Sequence, residues 1–188
     1  NAFPHHTKEI AQSEAYLGHP WCPQWFHVHP LNTTSGKMSK SKGEFLTVSL
    51  LEEKGYDPMV YRFFCLQSHY RKGLVFSWEN LDNARTAYDK LIARVAALKD
   101  EGELDQAAMD ELPASFRSAM DNDLNTSMGL TVLYDVLKAK ISDRAKRVLL
   151  DEFDQVLSLG LLDRAAKAAA PQAEESAESD PEIDALVA

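Results

Sequence analysis

Gly36-Lys37-Met38-Ser39-Lys40-Ser41-Lys42-Gly43 sets three lysines among hydroxyl side chains, between two glycines. The glycines let such a loop change conformation. The ammonium groups can neutralise charge developing on a leaving pyrophosphate, and the serines can add hydrogen bonds to its oxygens. By composition alone, a solvated basic loop accounts for the segment about equally well. His5 and Glu9 are four residues apart, so on a helix both side chains share a face and could hold a metal such as zinc. A lone pair of this kind is more often an exposed helix-face contact. Cys22 and Cys65 are too few for a disulfide framework and have no CxxC-like spacing, so both read as ordinary buried or half-buried thiols. His27, His29 and His69 read as packing or hydrogen-bonding residues, and Trp25 and Trp78 as core anchors. Arg62, Arg71, Lys72, Arg85 and Arg94 read as a solvated basic face.

The elements that must position these residues are mostly helical. Thr7 to Tyr16 is rich in helix formers and is stopped by Gly18 and Pro20. Trp25-Phe26-His27-Val28 reads as a short buried strand, with a second one near Leu31 to Thr34, and it leads into the polar loop from Asn32 to Gly43. Thr47 can cap a short helix ending near Gly55, and Asp57-Pro58 starts another with proline in the first helical position. Ser77 caps a long helix whose apolar stripe runs through Leu81, Ala84, Tyr88, Leu91, Ile92, Val95 and Leu98. Residues 100 to 112 are acidic and less periodic. A further helix is expected to begin around Phe116 and to break near Asp121-Asn122-Asp123-Leu124-Asn125-Thr126, where Asn125 or Thr126 caps the next. Leu130, Leu133, Val136 and Leu137 give that helix its stripe, and Val148, Leu149, Phe153, Val156 and Leu157 that of a last helix before Gly160. The second half therefore reads as a helical bundle.

The sequence has 188 residues, 45% hydrophobic and 26% charged, the balance of an ordinary globular protein. Its net charge of −9 is unevenly spread. Residues 1 to 99 carry 12 lysines and arginines against 9 acids and the remainder 8 against 20, so a polyanion should meet the first half. Ala165 to Ala170 and Pro171 precede an acidic stretch that includes Glu174, Glu175, Glu178 and Asp180 and reads as a solvated tail. No run approaches the roughly 18 apolar residues of a membrane span, and the start has neither the basic flank nor the apolar run of a signal peptide. A reducing cytoplasm is the expected setting. Without an initiator methionine, and with Ile183 to Ala188 resembling an amphipathic segment cut after one turn, the sequence is expected to be an internal piece of a larger protein.

Lys37-Met38-Ser39-Lys40-Ser41 is the full signature pentapeptide of class I aminoacyl-tRNA synthetases, and it follows a strand-like segment as that family's loop does. Other stretches resemble cysteinyl-tRNA synthetases in order. They are Phe3-Pro4-His5-His6 with Glu9-Ile10-Ala11-Gln12-Ser13-Glu14, then Trp25-Phe26-His27, Tyr61-Arg62-Phe63, Ser68-His69-Tyr70-Arg71 and Met120 to Thr126. The resemblance implies an ATP-binding loop made by Lys37, Met38, Ser39, Lys40 and Ser41, with Lys37 and Lys40 catalytic. It also implies zinc held by His5 and Glu9, with two cysteine ligands that would lie before residue 1. His6 is the competing candidate for His5, and Lys8 stands where the family usually has asparagine.

The implied activity is cysteine-tRNA ligation. Cysteine and ATP, with Mg2+, give cysteinyl adenylate and pyrophosphate, and the acyl group then passes to tRNA(Cys). A monomer is expected, without a membrane partner. The implied organisation is the end of a class I catalytic domain over 1–75, a stem-contact and DALR-type helical bundle over 76–165, and an acidic linker or tail over 166–188. The expected fold class is mainly α: the truncated end of a Rossmann-like nucleotide-binding domain with one or two short strands, followed by a helical bundle. The 188 residues alone are expected to be inactive as a ligase. Two rivals stand beside this reading. One is a cysteine ligase of mycothiol biosynthesis, and the other a non-catalytic helical tRNA-binding or protein-interaction module.

Overall fold

A computed structural model describes residues 2–33, 36, 37 and 47–170. It is mainly α-helical. An irregular turn, Ala2–His6, runs into α1 (Thr7–Leu17), which Gly18 closes in the left-handed conformation at φ 74°. β1 (Leu31–Thr33), β2 (Gly36–Lys37) and β3 (Leu74–Phe76) form one small sheet in the order β2-β1-β3. β1 and β2 are antiparallel, with Asn32 opposite Lys37, and β1 and β3 are parallel, with Leu31 opposite Leu74.

Trp25–Val28 is not a strand, contrary to the sequence pattern. A strand exists only where a neighbour takes its backbone hydrogen bonds. The nearest backbone bond among the described residues lies just beyond the segment, where His29 N donates to Tyr70 O at 2.9 Å, and pairing as a strand begins only at Leu31. The loop residues Met38 to Ser41, including Lys40, and the acidic segment from Pro171 onward lie outside the described residues.

The remaining helices are α2 (Val48–Glu53), α3 (Pro58–Leu66), α4 (Trp78–Ala96), α5 (Gln106–Asp121), α6 (Thr126–Lys138), α7 (Asp143–Leu157) and α8 (Leu161–Ala169). Their starts follow cap chemistry. Thr47 accepts from Leu50 N, Asp57 from Met59 N, Ser77 from Asn80 N, Asn125 from Met128 N and Ser142 from Ala145 N. α5 starts ten residues before Phe116, because Asp105 caps it at Ala108 N and the chain stays helical through Pro113. An interior proline costs about 3 kcal/mol. Burial of Phe116 and Ala119 in α5 offsets it.

The core is continuous from Leu51 to Ala165. α4 packs on α3 and α8, and α5, α6 and α7 pack on one another. Val148 and Val156, read as part of the last stripe, are exposed; Ala145, Leu149, Leu150, Phe153 and Leu157 form it instead. α7 is followed by α8, which carries the alanine-rich stretch as far as Ala169, past the tail boundary expected at 166. The turn between them is held by Asp154, whose carboxylate accepts from Leu159 N at 2.6 Å and Leu161 N at 2.8 Å. Tyr88 closes the same turn by donating to Leu159 O at 2.6 Å, and burial pushes its hydroxyl up to about 12.

Asp57 ties the two ends of this core together by capping α3 and pairing through both oxygens with Arg164 of α8. Burial raises its carboxyl pKa, but the hydrogen bonds from Arg164 and Met59 N outweigh that and bring it below the usual carboxylate value. A depressed carboxyl stabilises the fold fully above its unfolded pKa of about 3.9, and the contribution is lost as pH falls through the folded value. Asp57→Ala is therefore expected to cost about 1–2 kcal/mol at pH 7, mostly from the lost cap. In urea unfolding, the gap between variant and wild type should narrow below pH 4.

Candidate functional site

At the start of the chain, Thr7 Oγ1 donates to Pro4 O at 2.8 Å and folds the turn that carries His5 and His6 back over the first turn of α1. Glu9 in that turn faces both. His6 Nδ1 lies 2.9 Å and His5 Nε2 3.5 Å from its carboxylate oxygens. The ligand atoms of His5, His6 and Glu9 all lie within 4.8 Å of one another. Two imidazoles and a carboxylate are donors that zinc accepts at about 2.0–2.2 Å, so these residues fit part of a zinc shell. His6 is the less exposed histidine and makes the shorter contact. The rings of Trp25 and His27 pack on it at centroid distances of 4.6 and 4.9 Å, and Trp21 meets Trp25 at 5.7 Å. The Trp25-x-His27 segment thus forms the wall behind the histidine pair.

From this wall the chain passes through His29 into β1 and turns into β2, whose second residue is Lys37. The hairpin delivers the chain into the lysine loop. Only the backbone of Lys37 is described, and Met38, Ser39, Lys40 and Ser41 follow outside the described residues.

On the other side of β1, Ser68 to Arg71 link α3 to β3. The Asp123 carboxylate, on the turn between α5 and α6, accepts from the Tyr70 hydroxyl and from Arg71 Nε and Nη2, the last at 3.1 Å. These donors hold its carboxyl down at about 2, Arg71 contributing most. Arg71 N donates to His69 Nδ1 at 3.2 Å, which leaves the ring proton on Nε2, 3.7 Å from Asp123 Oδ2. Tyr70 stacks on Phe26 at 4.2 Å. Neither the ring stack nor the convergence on Asp123 is readable from spacing, because the partners come from three separate elements.

Between β1, α3 and this link lies an apolar cavity of about 420 Å³, lined by Phe26, Leu31, Tyr61, Cys65, Leu74 and Leu124 among others. Burial raises the Cys65 thiol and pushes Tyr61 up to about 12, so both are neutral hydrogen-bonding groups at pH 7. Three of the basic residues read as a solvated face have definite partners. Arg62 donates to Leu157 O at 2.8 Å, Arg85 pairs with Asp82 over the Tyr56 ring, and Arg71 holds Asp123.

Residues 1–86 match the family described as the catalytic domain of tRNA synthetases class I (C), and residues 115–162 match the DALR domain. Across both regions the sequence is 38% identical to the cysteine-tRNA ligase 1 of Burkholderia lata over 158 residues, 84% of this chain. The chain belongs to the cysteine-tRNA ligase family of class I tRNA synthetases. It is 41% identical to the cysteine-tRNA ligase of Novosphingobium aromaticivorans over 85% of its length, and 38% identical to that of Brevibacillus brevis over 98%. It spans a third to two fifths of these ligases: 33%, 35% and 42%. Within the family match, the three described parts of the site fall into one block. They are the histidine-carboxylate turn, the hairpin entering the lysine loop and the Ser68–Arg71 link. Asp123 comes from the DALR match. No helix among the described residues is long and apolar enough to cross a membrane.

Proposed function

We propose that this chain is the loop-bearing and helical part of an enzyme that activates cysteine with ATP and transfers it to tRNA(Cys), working as a cytoplasmic monomer. The observation that carries this is the β1–β2 hairpin running directly into Lys37-Met38-Ser39-Lys40-Ser41 inside the class I synthetase match. The reading divides the chain into a catalytic-domain end over 1–75, a helical bundle from 76 to the end of α8 and a linker beyond it. Lys40 stabilises charge that builds on the pyrophosphate of ATP as the cysteine carboxylate attacks, and Lys37 anchors the loop by the same electrostatic logic. Met38, Ser39 and Ser41 complete the ATP-binding loop, and Mg2+ accompanies the nucleotide.

In this reading His5 and Glu9 hold zinc together with two cysteines supplied from elsewhere. Zinc, when bound, supplies a soft Lewis acid that takes a cysteine thiolate in preference to a serine hydroxyl. His6, packed between Trp25, His27 and Glu9, buttresses the carboxylate. The measurement is zinc content in the full reading frame. His5→Ala and Glu9→Ala are expected to lower zinc affinity by at least about tenfold, the size of effect seen even for groups outside the ligand shell. His6→Ala should retain the metal more nearly as wild type does; the opposite order would exchange the roles of the two histidines.

The activity is tested with the full reading frame, ATP, labelled cysteine and total tRNA. Charging of tRNA with cysteine is the expected result, and the 188 residues alone should show none. Cysteine-dependent pyrophosphate exchange without charging would indicate an amino-sugar ligase instead, and neither activity would indicate a binding module.

A further inference from the structure

Ser68–Arg71 and Met120–Thr126, two segments the family reading leaves without a task, meet at one carboxylate. Tyr70 and Asp123 are 53 residues apart, yet Asp123 takes hydrogen bonds from both Tyr70 and Arg71. The turn that presents it is unusual. Asp123 and Leu124 both have left-handed backbone, at φ 58° and 51°, which is unfavourable for a side chain such as leucine. Such a conformation persists where the surroundings over-determine it, and it concentrates at functional positions. The turn is also pinned from the far side, where Thr126 Oγ1 donates to Leu66 O at 2.9 Å.

From Asp123 the contacts run toward β1 and β3, the paired strands beside β2, which enters the lysine loop. Arg71 lies three residues before β3. Tyr70 accepts from His29 N through its carbonyl and stacks on Phe26, and β1 begins two residues beyond His29. β1 in turn pairs with β3 on one side and with Gly36–Lys37 on the other.

We propose that Asp123 is a positioning residue: by gripping Tyr70 and Arg71 it sets the place of β1 and β3, and through them the entry to the lysine loop. The last step rests on the reading of that loop as a phosphate site. The helical bundle thereby adds a polar grip on these strands to the packing of Phe76, Leu74 and Leu31 on the core. Ion pairs this exposed contribute little to global stability. The grip therefore acts on the local order of the Ser68–Arg71 link and the strands beside it, and it leaves the unfolding of the bundle almost unchanged.

The test compares wild type, Asp123→Asn, Asp123→Glu and Lys40→Ala as 188-residue chains. Amide hydrogen exchange, thermal unfolding and binding of inorganic pyrophosphate are measured for each. In Asp123→Asn, exchange in β1 and β3 should rise about tenfold with core amides of α4 and α7 and the unfolding temperature unchanged, as expected for local opening. Pyrophosphate affinity should fall at least about threefold, since the lysines lose their placement. Asp123→Glu, which keeps the charge, should restore both. Unchanged strand exchange in Asp123→Asn overturns the proposal. So does a rise shared by the whole core, and so does wild-type pyrophosphate affinity in Asp123→Asn when Lys40→Ala loses it. Absence of pyrophosphate binding to wild type would refute the phosphate reading of the loop, while the exchange arm, which needs no ligand, would still decide whether Asp123 grips the strands.

Discussion

Lys40→Ala in the full reading frame is expected to slow cysteine-dependent pyrophosphate exchange by about 10²–10³, the usual effect of deleting one donor aimed at charge that develops in the transition state. The physical argument is one of timing. An ammonium that meets the pyrophosphate oxygens most closely as the bond to the α-phosphorus breaks stabilises the transition state more than bound ATP. The loss should therefore fall on kcat, with the KM for ATP changed much less. Lys40→Arg keeps the charge but replaces a compact ammonium with a planar fork, so it should recover only part of the rate. A loss confined to KM would make Lys40 a binding residue, and no loss would remove the loop from the chemistry.

Local signals in the sequence were good guides wherever the backbone answers to its own neighbours. Thr47, Asp57, Ser77 and Asn125 cap the helices they precede, because a short polar side chain satisfies an orphan amide two or three residues on, whatever lies around it. Gly18 closes α1 for an equally local reason. Trp25–Val28 shows where such reasoning ends. Its residue types suit a strand, but strand formation depends on a partner that sequence pattern does not name. α5 shows the converse, since a stretch read as acidic and poorly periodic up to residue 112 is helical from Gln106, in a helix that α6 and α7 stabilise by packing.

For the candidate site, spacing brought His5 and Glu9 to one face, and the fold adds His6, whose neighbours Trp25 and His27 come from another segment. The Asp123 grip lay beyond reach, because its meaning depends on a turn and a link 53 residues apart. Both segments were marked by likeness to a family, not by chemistry.

The last helix stripe yields the prediction with the largest effect on stability. Reading Val148 and Val156 into it widened the stripe on the wrong side: Leu149, Phe153 and Leu157 do face the core, but at 100° per residue the buried arc extends to Leu150 and Ala145, which turns the two valines toward solvent. Phe153 is 0% exposed and stacks on Phe116 at 4.2 Å, nearly parallel, at the junction of α5 and α7, whereas Val156, one turn on, is 55% exposed. Phe153→Ala should therefore cost about 3–5 kcal/mol, combining lost transfer energy with a cavity the rigid neighbours cannot close. That corresponds to a fall in unfolding temperature of roughly 10 °C or more. Val156→Ala should stay within about 0.5 kcal/mol, as surface changes do. Equal losses at the two positions, measured by urea and thermal unfolding, would mean that α7 faces the core in the phase suggested by its valines.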